Sequence, residues 1–280
     1  ATKKRKYMTN LSMFCLTLKP ENEKKITELK YIPVGLGTEK FPKIFLSDKP
    51  GINISEKNSY YGEYTFHYWI WKNYLKKIQT DWVGFCQYRK FFVKKNIDEK
   101  NLQFNTLNEL AIKEIDESFS NYDCILGKQF SVENYKLIKK IKKNFIKFLL
   151  NPSILLSKKK RTIKFHFDLF HGEGNLDLAI NLLDQKNKIN FKEFVYTKTS
   201  FNPHNMFICK TKYLAEYYEI IFPWLEKCEK LFKDKRLEGY GMQRIYGFLA
   251  ERFLSYWFLK NYKVKELPII VKDLSDYNPL

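Results

Sequence analysis

Asp81-Trp-Val-Gly-Phe-Cys-Gln-Tyr-Arg-Lys-Phe-Phe92 is the stretch on which the reading of this chain turns. Its apolar run, Trp82 to Cys86, has the length of a buried strand, and it stops abruptly at a polar, cationic cluster of Gln87, Tyr88, Arg89 and Lys90. Ligands of open α/β sheets sit at the carboxyl ends of the strands, where loops converge and helix N-termini point into one crevice. A strand ending there in Tyr-Arg-Lys is expected to deliver a contact to an anion. A strand that merely ends in solvated charges is the plainer reading of the same residues.

Outward from that stretch, the preceding residues read as Leu11 to Leu18 and Tyr31 to Leu36 in strands, joined by a charged helical connector from Pro20 to Leu29. Pro42, Pro50 and Gly51 mark a loop, in which Asn53, Ser55 and Asn58 have the short polar side chains that suit turns and helix caps. Tyr61 to Lys76 reads as an aromatic-rich core helix. Glu63 near its start suits the helix dipole and could meet a sugar hydroxyl or a basic side chain, and His67 reads as a core histidine. On the other side, a polar helical pattern from Asn96 runs to Tyr122, and Asp123 to Gly127 reads as a strand. Ser131 to Leu150 alternates Lys with Ile and Phe as an amphipathic basic helix, and 151–161 reads as a loop holding Lys158-Lys-Lys-Arg161.

Thr162 to Leu183 is expected to be helical at its later end. Its His166, Asp168, His171 and Asp177 are spaced too irregularly for a metal motif, and His-Glu-x-x-His is absent. Phe191 to Ser200 reads as loop and strand, and a strand to Cys209 is entered through His204 and Asn205. Tyr213 to Leu231 is expected to be a helix interrupted at Pro223, and Gly241 to Tyr262 a last helix with Arg244, Gly247 and Glu251 on one face.

At 280 residues with 44% hydrophobic content the chain can bury a sizeable core in one large domain or two small ones, and one α/β domain over 1–280 with 1–10 flexible is the expectation. Fifty Lys and Arg against 31 Asp and Glu give +19, pointing to an anionic partner: a nucleotide, nucleic acid, a lipid surface or an acidic polymer. Five scattered cysteines form no metal clip or disulfide framework, so reduced, buried thiols of a cytoplasmic protein are expected. No apolar run reaches the ~20 residues of a membrane span. Peripheral contact with the inner face of a membrane through the basic region 136–161 is the most that is expected. The chain begins without Met, as a piece trimmed from a longer protein would.

Several local motifs occur in a telling order. They are Tyr-Gly-Glu-Tyr-Thr (61–65), Tyr-Trp-Ile-Trp-Lys-Asn (68–73), Gly-Phe-Cys-Gln-Tyr-Arg-Lys-Phe-Phe (84–92), Asn-Met-Phe-Ile (205–208) and Arg-Ile-Tyr-Gly-Phe-Leu-Ala-Glu-Arg (244–252). Together they resemble a bacterial family of glycosyltransferases from capsule and exopolysaccharide loci, long described as a domain of unknown function, over roughly Tyr31 to Ile270. Three positions depart from the family pattern: Gly62 stands for a Cys, Gln87 for a His and Lys90 for an Arg. The resemblance implies a GT-A-like fold with a mixed central sheet, a nucleoside diphosphate sugar donor, most often a UDP-sugar, and a growing polysaccharide or lipid-linked glycan acceptor.

Many GT-A enzymes end the corresponding strand in Asp-x-Asp, which holds a divalent cation on the diphosphate. No Asp-x-Asp occurs in this chain. Cationic side chains can instead offset the charge on the departing diphosphate, Arg89 by a bidentate grip and Lys90 as a point charge. Metal-independent transfer is therefore expected, with no cofactor, although a divalent cation is left open. An inverting reaction needs a base for the acceptor hydroxyl, with His171, Asp177, His204, Glu63 and Glu251 as candidates and His171 favoured because the family tends to carry a His followed by an Asp there. Asn53, Ser55, Asn58, Glu63, Tyr88, Lys90, His204, Asn205, Arg244 and Glu251 are expected to bind substrate. The alternatives are a nucleic-acid-binding module, for which no motif is present, and a catalytically inactive scaffold of polysaccharide assembly.

Overall fold

Eleven strands and ten α-helices account for the regular structure of the residues that the computed structural model describes, 11–100, 102–133, 157, 160–235 and 237–277. They fall into two compact units, one built from 1–128, 204–220 and 258–280 and the other from 129–203 and 221–257. Of the basic helix expected over Ser131 to Leu150 only 131–133 are described, and Ser131 lies in a strand there; 134–150, most of the 151–161 loop and the first ten residues lie outside the described residues.

The first unit holds β1 (Leu11–Thr17), β2 (Ile32–Gly35), β3 (Leu46–Ser47), β4 (Trp82–Gln87), β5 (Lys90–Phe92) and β6 (Cys124–Gly127). Strands β7 (Phe130–Ser131) and β8 (Ser200–Phe201) pair with each other in the second unit, and β9 (Phe207–Lys210), β10 (Val264–Leu267) and β11 (Ile269–Val271) return to the first. The nine strands of the first unit form one mixed sheet in the order β10-β6-β9-β4-β1-β2-β3, with β5 joining β4 to β11. Strands β4, β1, β2 and β3 run parallel in register, so Gln87, Thr17, Gly35 and Ser47 line one carboxyl edge. Antiparallel β9 pairs Phe207 with Phe85, which brings the residues that precede β9 to that same edge.

Period-2 alternation divides the sheet's faces. On one face Phe14 stacks on Phe85 at 5.5 Å, Phe85 meets Phe207 at 5.0 Å, and His67 covers Phe85 at 4.3 Å. On the other lie Met13, Cys15, Trp82, Cys86 and Ile208, all buried. Gly84 lies on this second face because a Cβ there would come within 2.8 Å of both Ile208 and Met13. All five cysteines are free and buried.

Helices α1 (Glu23–Glu28), α2 (Asn58–Tyr61), α3 (Tyr64–Trp69) and α4 (Phe104–Leu110) belong to the first unit. The helix expected from Tyr61 to Lys76 is broken at Gly62 (φ +59°), and beyond α3 it widens into a π-turn, Ile70–Tyr74, and tightens into a 3₁₀ turn, Leu75–Lys77. The helical pattern from Asn96 to Tyr122 yields only α4, because Ala111 turns extended and bridges to Val93.

The second unit holds α5 (Ile163–His171), α6 (Asn175–Ile180), α7 (Gln185–Thr197) and α9 (Tyr240–Gln243). Helices α8 (Leu214–Phe232) and α10 (Ile245–Asn261) each contribute to both units. Four helices differ from the expectation. Thr162 caps α5 by accepting from Phe165 N at 3.3 Å, so this segment is helical from its start. Asp184 caps α7 in the same way through Asn187 N, and buried Phe191 and Val195, four apart, make a helix where loop and strand were expected. Helix α8 passes through Pro223 without ending, since Ile221, Phe222, Trp224 and Leu225 around it are all buried. The last helix is instead split at Arg244, whose φ of −94° and ψ of 26° leave the α region.

Candidate active site

Strand β4 ends at Gln87, and Tyr88 and Arg89 form a two-residue turn into β5. The strand has therefore ended before Arg89, and Lys90 opens the next. Backbone bonds fix this turn on both sides. Tyr88 N donates to Leu16 O at 2.9 Å, while Leu274 N and Lys272 N donate to Tyr88 O and Arg89 O at 3.0 and 3.1 Å. Two cations approach the Tyr88 ring, Lys19 at 5.4 Å and the Arg89 guanidinium at 5.7 Å from its centroid. Lys19 is paired with Asp273 at 3.2 Å. The Arg89 side chain is exposed and has no ion pair or hydrogen bond among the described residues. A rigid turn thus holds out a planar cation.

Beside the turn is a polar knot. Gln87 Nε2 donates to Glu63 Oε1 at 3.1 Å and to the His204 carbonyl at 3.2 Å, and Asn205 Nδ2 donates to the same Glu63 oxygen at 3.3 Å. One carboxylate oxygen therefore receives N–H donors from the carboxyl end of β4 and from the entrance to β9. Both donors arrive there because antiparallel neighbours share that edge. Burial and then the charges of Lys90 and Arg89 lower the His204 pKa to about 3, so its imidazole is neutral.

A divalent cation was the group left open at this position. The donors here are an amide, a phenol, a guanidinium and an ammonium, and the nearby carboxylate already takes two N–H bonds. Such a set does not fit a divalent cation, which asks for several anionic or neutral oxygens. No group of three or more His, Cys, Asp or Glu that could hold a metal ion occurs among the described residues.

The motif Asn-Ile-Ser-x-Lys-Asn spends its side chains on its own loop. Asn53 Nδ2 donates to Lys49 O and Gly51 O while its Oδ1 accepts from Ser55 N and Oγ, and Asn58 Nδ2 donates to Gly62 O at 3.0 Å and to Thr65 Oγ1 at 3.2 Å. The Tyr-Trp-Ile-Trp-Lys-Asn motif clamps this loop from the π-turn side. Trp69 Nε1 donates to Pro50 O, and Asn73 pairs with both the N–H and the carbonyl of Ile52. Through Asn58, the first of these two motifs also holds the backbone of Gly62 and the hydroxyl of Thr65, on either side of Glu63.

The remaining expected residues lie in the second unit. His171, the favoured base, is 4% exposed, stacks on Phe248 at 4.1 Å and bonds through Nδ1 to Gly241 O. Burial first, then Arg252, lowers its pKa to about 3, the environment of a core histidine. Asp177 accepts from Tyr196 Oη at 2.6 Å and pairs with Lys164 at 3.2 Å. Glu251 pairs with the buried Arg252, and Arg244 stacks over Tyr240 at 5.4 Å. Of the Lys158-Lys-Lys-Arg161 run, Arg161 is buried and donates to Glu133 O.

Sequence reasoning undervalued Gln87. It read only as a departure from the family's His, yet its amide is the tie that joins Glu63 to the His204 backbone. The available signal was its place as the last polar residue of a buried strand.

The family described as Domain of unknown function (DUF4422) matches residues 13–262. Among solved structures, the apo form of the WbbM bifunctional glycosyltransferase is similar over 94% of this chain and 45% of that one, with a TM-score of 0.69 and 20% identity. Core-mannan synthase A (CmsA/Ktr4) from Aspergillus fumigatus, in its Mn/GDP form, aligns over 91% of this chain and 70% of that one, with a TM-score of 0.34 and 13% identity. No curated protein matches. The chain spans less than half the length of the WbbM chain, and the likeness is one of fold: a mixed α/β, GT-A-like sheet.

Proposed function

Because the chain belongs to the DUF4422 family and carries a GT-A-like fold, we propose that it is a glycosyltransferase. It moves a sugar from a nucleoside diphosphate sugar, a UDP-sugar in the first instance, to a growing capsular or exopolysaccharide acceptor. The observation that carries this reading is the exposed Arg89 guanidinium on a fixed turn at the carboxyl edge of the parallel strands, beside Lys90 and the Glu63 knot. As the bond from anomeric carbon to diphosphate breaks, negative charge grows on the leaving oxygen. A guanidinium already in place stabilises that charge without reorganisation, and losing one such donor costs about 10²–10³ in rate. Arg89 grips two phosphate oxygens and Lys90 adds a point charge, so transfer proceeds without a metal ion. Glu63, oriented by two amides, accepts from the hydroxyls of the transferred sugar.

The test is nucleotide release from a panel of UDP-, GDP- and dTDP-sugars, with excess EDTA throughout. Turnover of one donor in chelator, reduced about 10²-fold or more by Arg89→Ala, is expected. Activity lost in chelator and restored by Mn²⁺ would overturn metal independence. Binding of none of these donors would overturn the function.

A further inference from the structure

Lys19 stands two residues beyond β1, at the same carboxyl edge from which β4 delivers Tyr88 and Arg89. Its backbone is fixed there: Lys19 N donates to Thr17 Oγ1 at 3.0 Å, and Tyr88 N, one strand over, donates to Leu16 O at 2.9 Å. The Lys19 side chain reaches the C-terminal segment, where Nζ meets Asp273 Oδ2 at 3.2 Å and Ser275 Oγ at 3.0 Å, 254 and 256 positions away in the chain. The same Nζ is 5.4 Å from the centroid of the Tyr88 ring, which the Arg89 guanidinium approaches at 5.7 Å. Cations from two neighbouring strand ends therefore converge on one aromatic side chain, with Asp273 as the carboxylate beside the first of them.

The two members of this ion pair are held unequally. Asp273 is locked in place. Its Oδ1 accepts from Ser275 N at 2.8 Å as the cap of the 3₁₀ turn Leu274–Asp276, and Lys272 N and Leu274 N on either side of it donate to Arg89 O and Tyr88 O at 3.1 and 3.0 Å. Lys19 carries its charge on a flexible four-carbon stem, and its side chain is 36% exposed against 22% for Asp273. An ion pair this open to water contributes little net stability, because hydration and side-chain entropy oppose the Coulomb attraction. A ligand bearing two or more negative charges attracts the same ammonium more strongly than one carboxylate does.

We propose that Lys19 is a further cation of the diphosphate site, held beside the Tyr88 ring by Asp273 in the free protein and passed to the diphosphate when a nucleotide binds. This rests on the reading of the Arg89 turn as the diphosphate site. Arg89, planar and on a rigid turn, grips phosphate oxygens bidentately from the end of β4, while Lys19 swings to them as a point charge from the end of β1. Asp273 stays on its capped turn and takes Lys19 back when the nucleotide leaves. It is thus a positioning residue, which keeps the ammonium at the site and limits how tightly the released nucleotide is held. Asp273 lies beyond residues 13–262, the part of the chain that matches the family, so family membership alone does not imply this arrangement.

Calorimetric titration of the full chain with UDP, in excess EDTA, tests it. Lys19→Met is expected to weaken UDP binding by about 10-fold or more, and Lys19→Arg, which keeps the charge, to retain most of it. Asp273→Asn keeps the oxygen that caps Ser275 N but no longer competes for the ammonium, so it is expected to tighten UDP binding by about 2- to 5-fold. That gain should vanish in the combined Lys19→Met, Asp273→Asn protein, since it acts through Lys19. A purely structural ion pair would move the other way, both single variants weakening binding alike. That result would overturn the proposal. So would unchanged affinity in Lys19→Met while Arg89→Ala weakens binding, or a gain from Asp273→Asn that persists without Lys19. Failure of UDP to bind, or binding untouched by Arg89→Ala and Lys19→Met alike, would instead overturn the diphosphate reading beneath it.

Discussion

Asp48 is the residue whose surroundings serve it worst. Its carboxyl has no exposure, and neither oxygen has a hydrogen-bond partner. Burial pushes its pKa up, against the weaker pull of the Thr65 hydroxyl, which itself donates to Gly62 O. A carboxyl whose folded pKa is raised destabilises the fold as pH climbs from the ordinary carboxylate range through the raised value, because the unfolded chain ionises first. Asp48→Asn is therefore expected to raise the thermal midpoint at pH 8 by about 2 °C or more, and to flatten its pH dependence above the acid range. Thermal melts from pH 4 to 8 would show this. A lower midpoint at pH 8 would mean that the ionised carboxylate is favoured in the fold. Gln87 gives the opposite expectation. Gln87→Glu removes both N–H donors and sets a second carboxylate against Glu63, so UDP binding measured by calorimetry should weaken by about 10-fold or more, while Gln87→Asn, shorter but still a donor, should weaken it less. The polar types at 63, 204 and 205 were legible in the sequence as candidates, while Gln87 stood there only as a departure from a family pattern. Their mutual bonding was not legible, since it is made by strand order and register rather than by spacing along the chain.

At the scale of elements, the short apolar runs announced their strands well: β1, β2, β4 and β6 lie where Leu11 to Leu18, Tyr31 to Leu36, Trp82 to Cys86 and Asp123 to Gly127 were expected. Helix ends were harder to read. Pro223 looked like a break and Phe191 to Ser200 like loop and strand, because local propensity does not reveal the buried faces of α7 and α8. Gly62 shows the reverse case. Its φ of +59° and ψ of −133° give the break that sets Glu63 at the head of α3, and this backbone is natural only to glycine. Gly62→Ala is therefore expected to cost about 1–2 kcal/mol, at about 2–4 °C in thermal midpoint per kcal/mol. A midpoint left unchanged would show that α2 and α3 accept a different join. The clamp formed by Trp69 and Asn73 ties the Tyr-Trp-Ile-Trp-Lys-Asn motif to the loop that carries Asn-Ile-Ser-x-Lys-Asn, since their side chains hold the backbone of Pro50 and Ile52.

For the whole molecule, a net charge of +19 pointed to an anionic partner without choosing one. Aromatic side chains that could have stacked on bases are largely spent in the core, as with Phe14, Phe85 and Phe207 in the first unit and Phe191, Trp224 and Phe253 in the second. A random single-stranded oligonucleotide is accordingly expected to bind only through its phosphates, at about 10⁻⁵ M or weaker at physiological salt. Nanomolar binding without any affinity for nucleotide sugars would favour a nucleic-acid module instead. None of the described helices is long and apolar enough to cross a membrane. What the fold contributes to chemistry is the alignment of four parallel carboxyl ends with the entrance of one antiparallel strand, which gathers Arg89, Glu63, Gln87 and His204 at one edge. The most direct test of the central claim is a crystal structure of the protein with UDP bound in the presence of EDTA. The account predicts diphosphate oxygens within hydrogen-bond distance of the Arg89 guanidinium, at the turn between β4 and β5; a diphosphate bound elsewhere on the chain, with Arg89 still facing solvent, would contradict it.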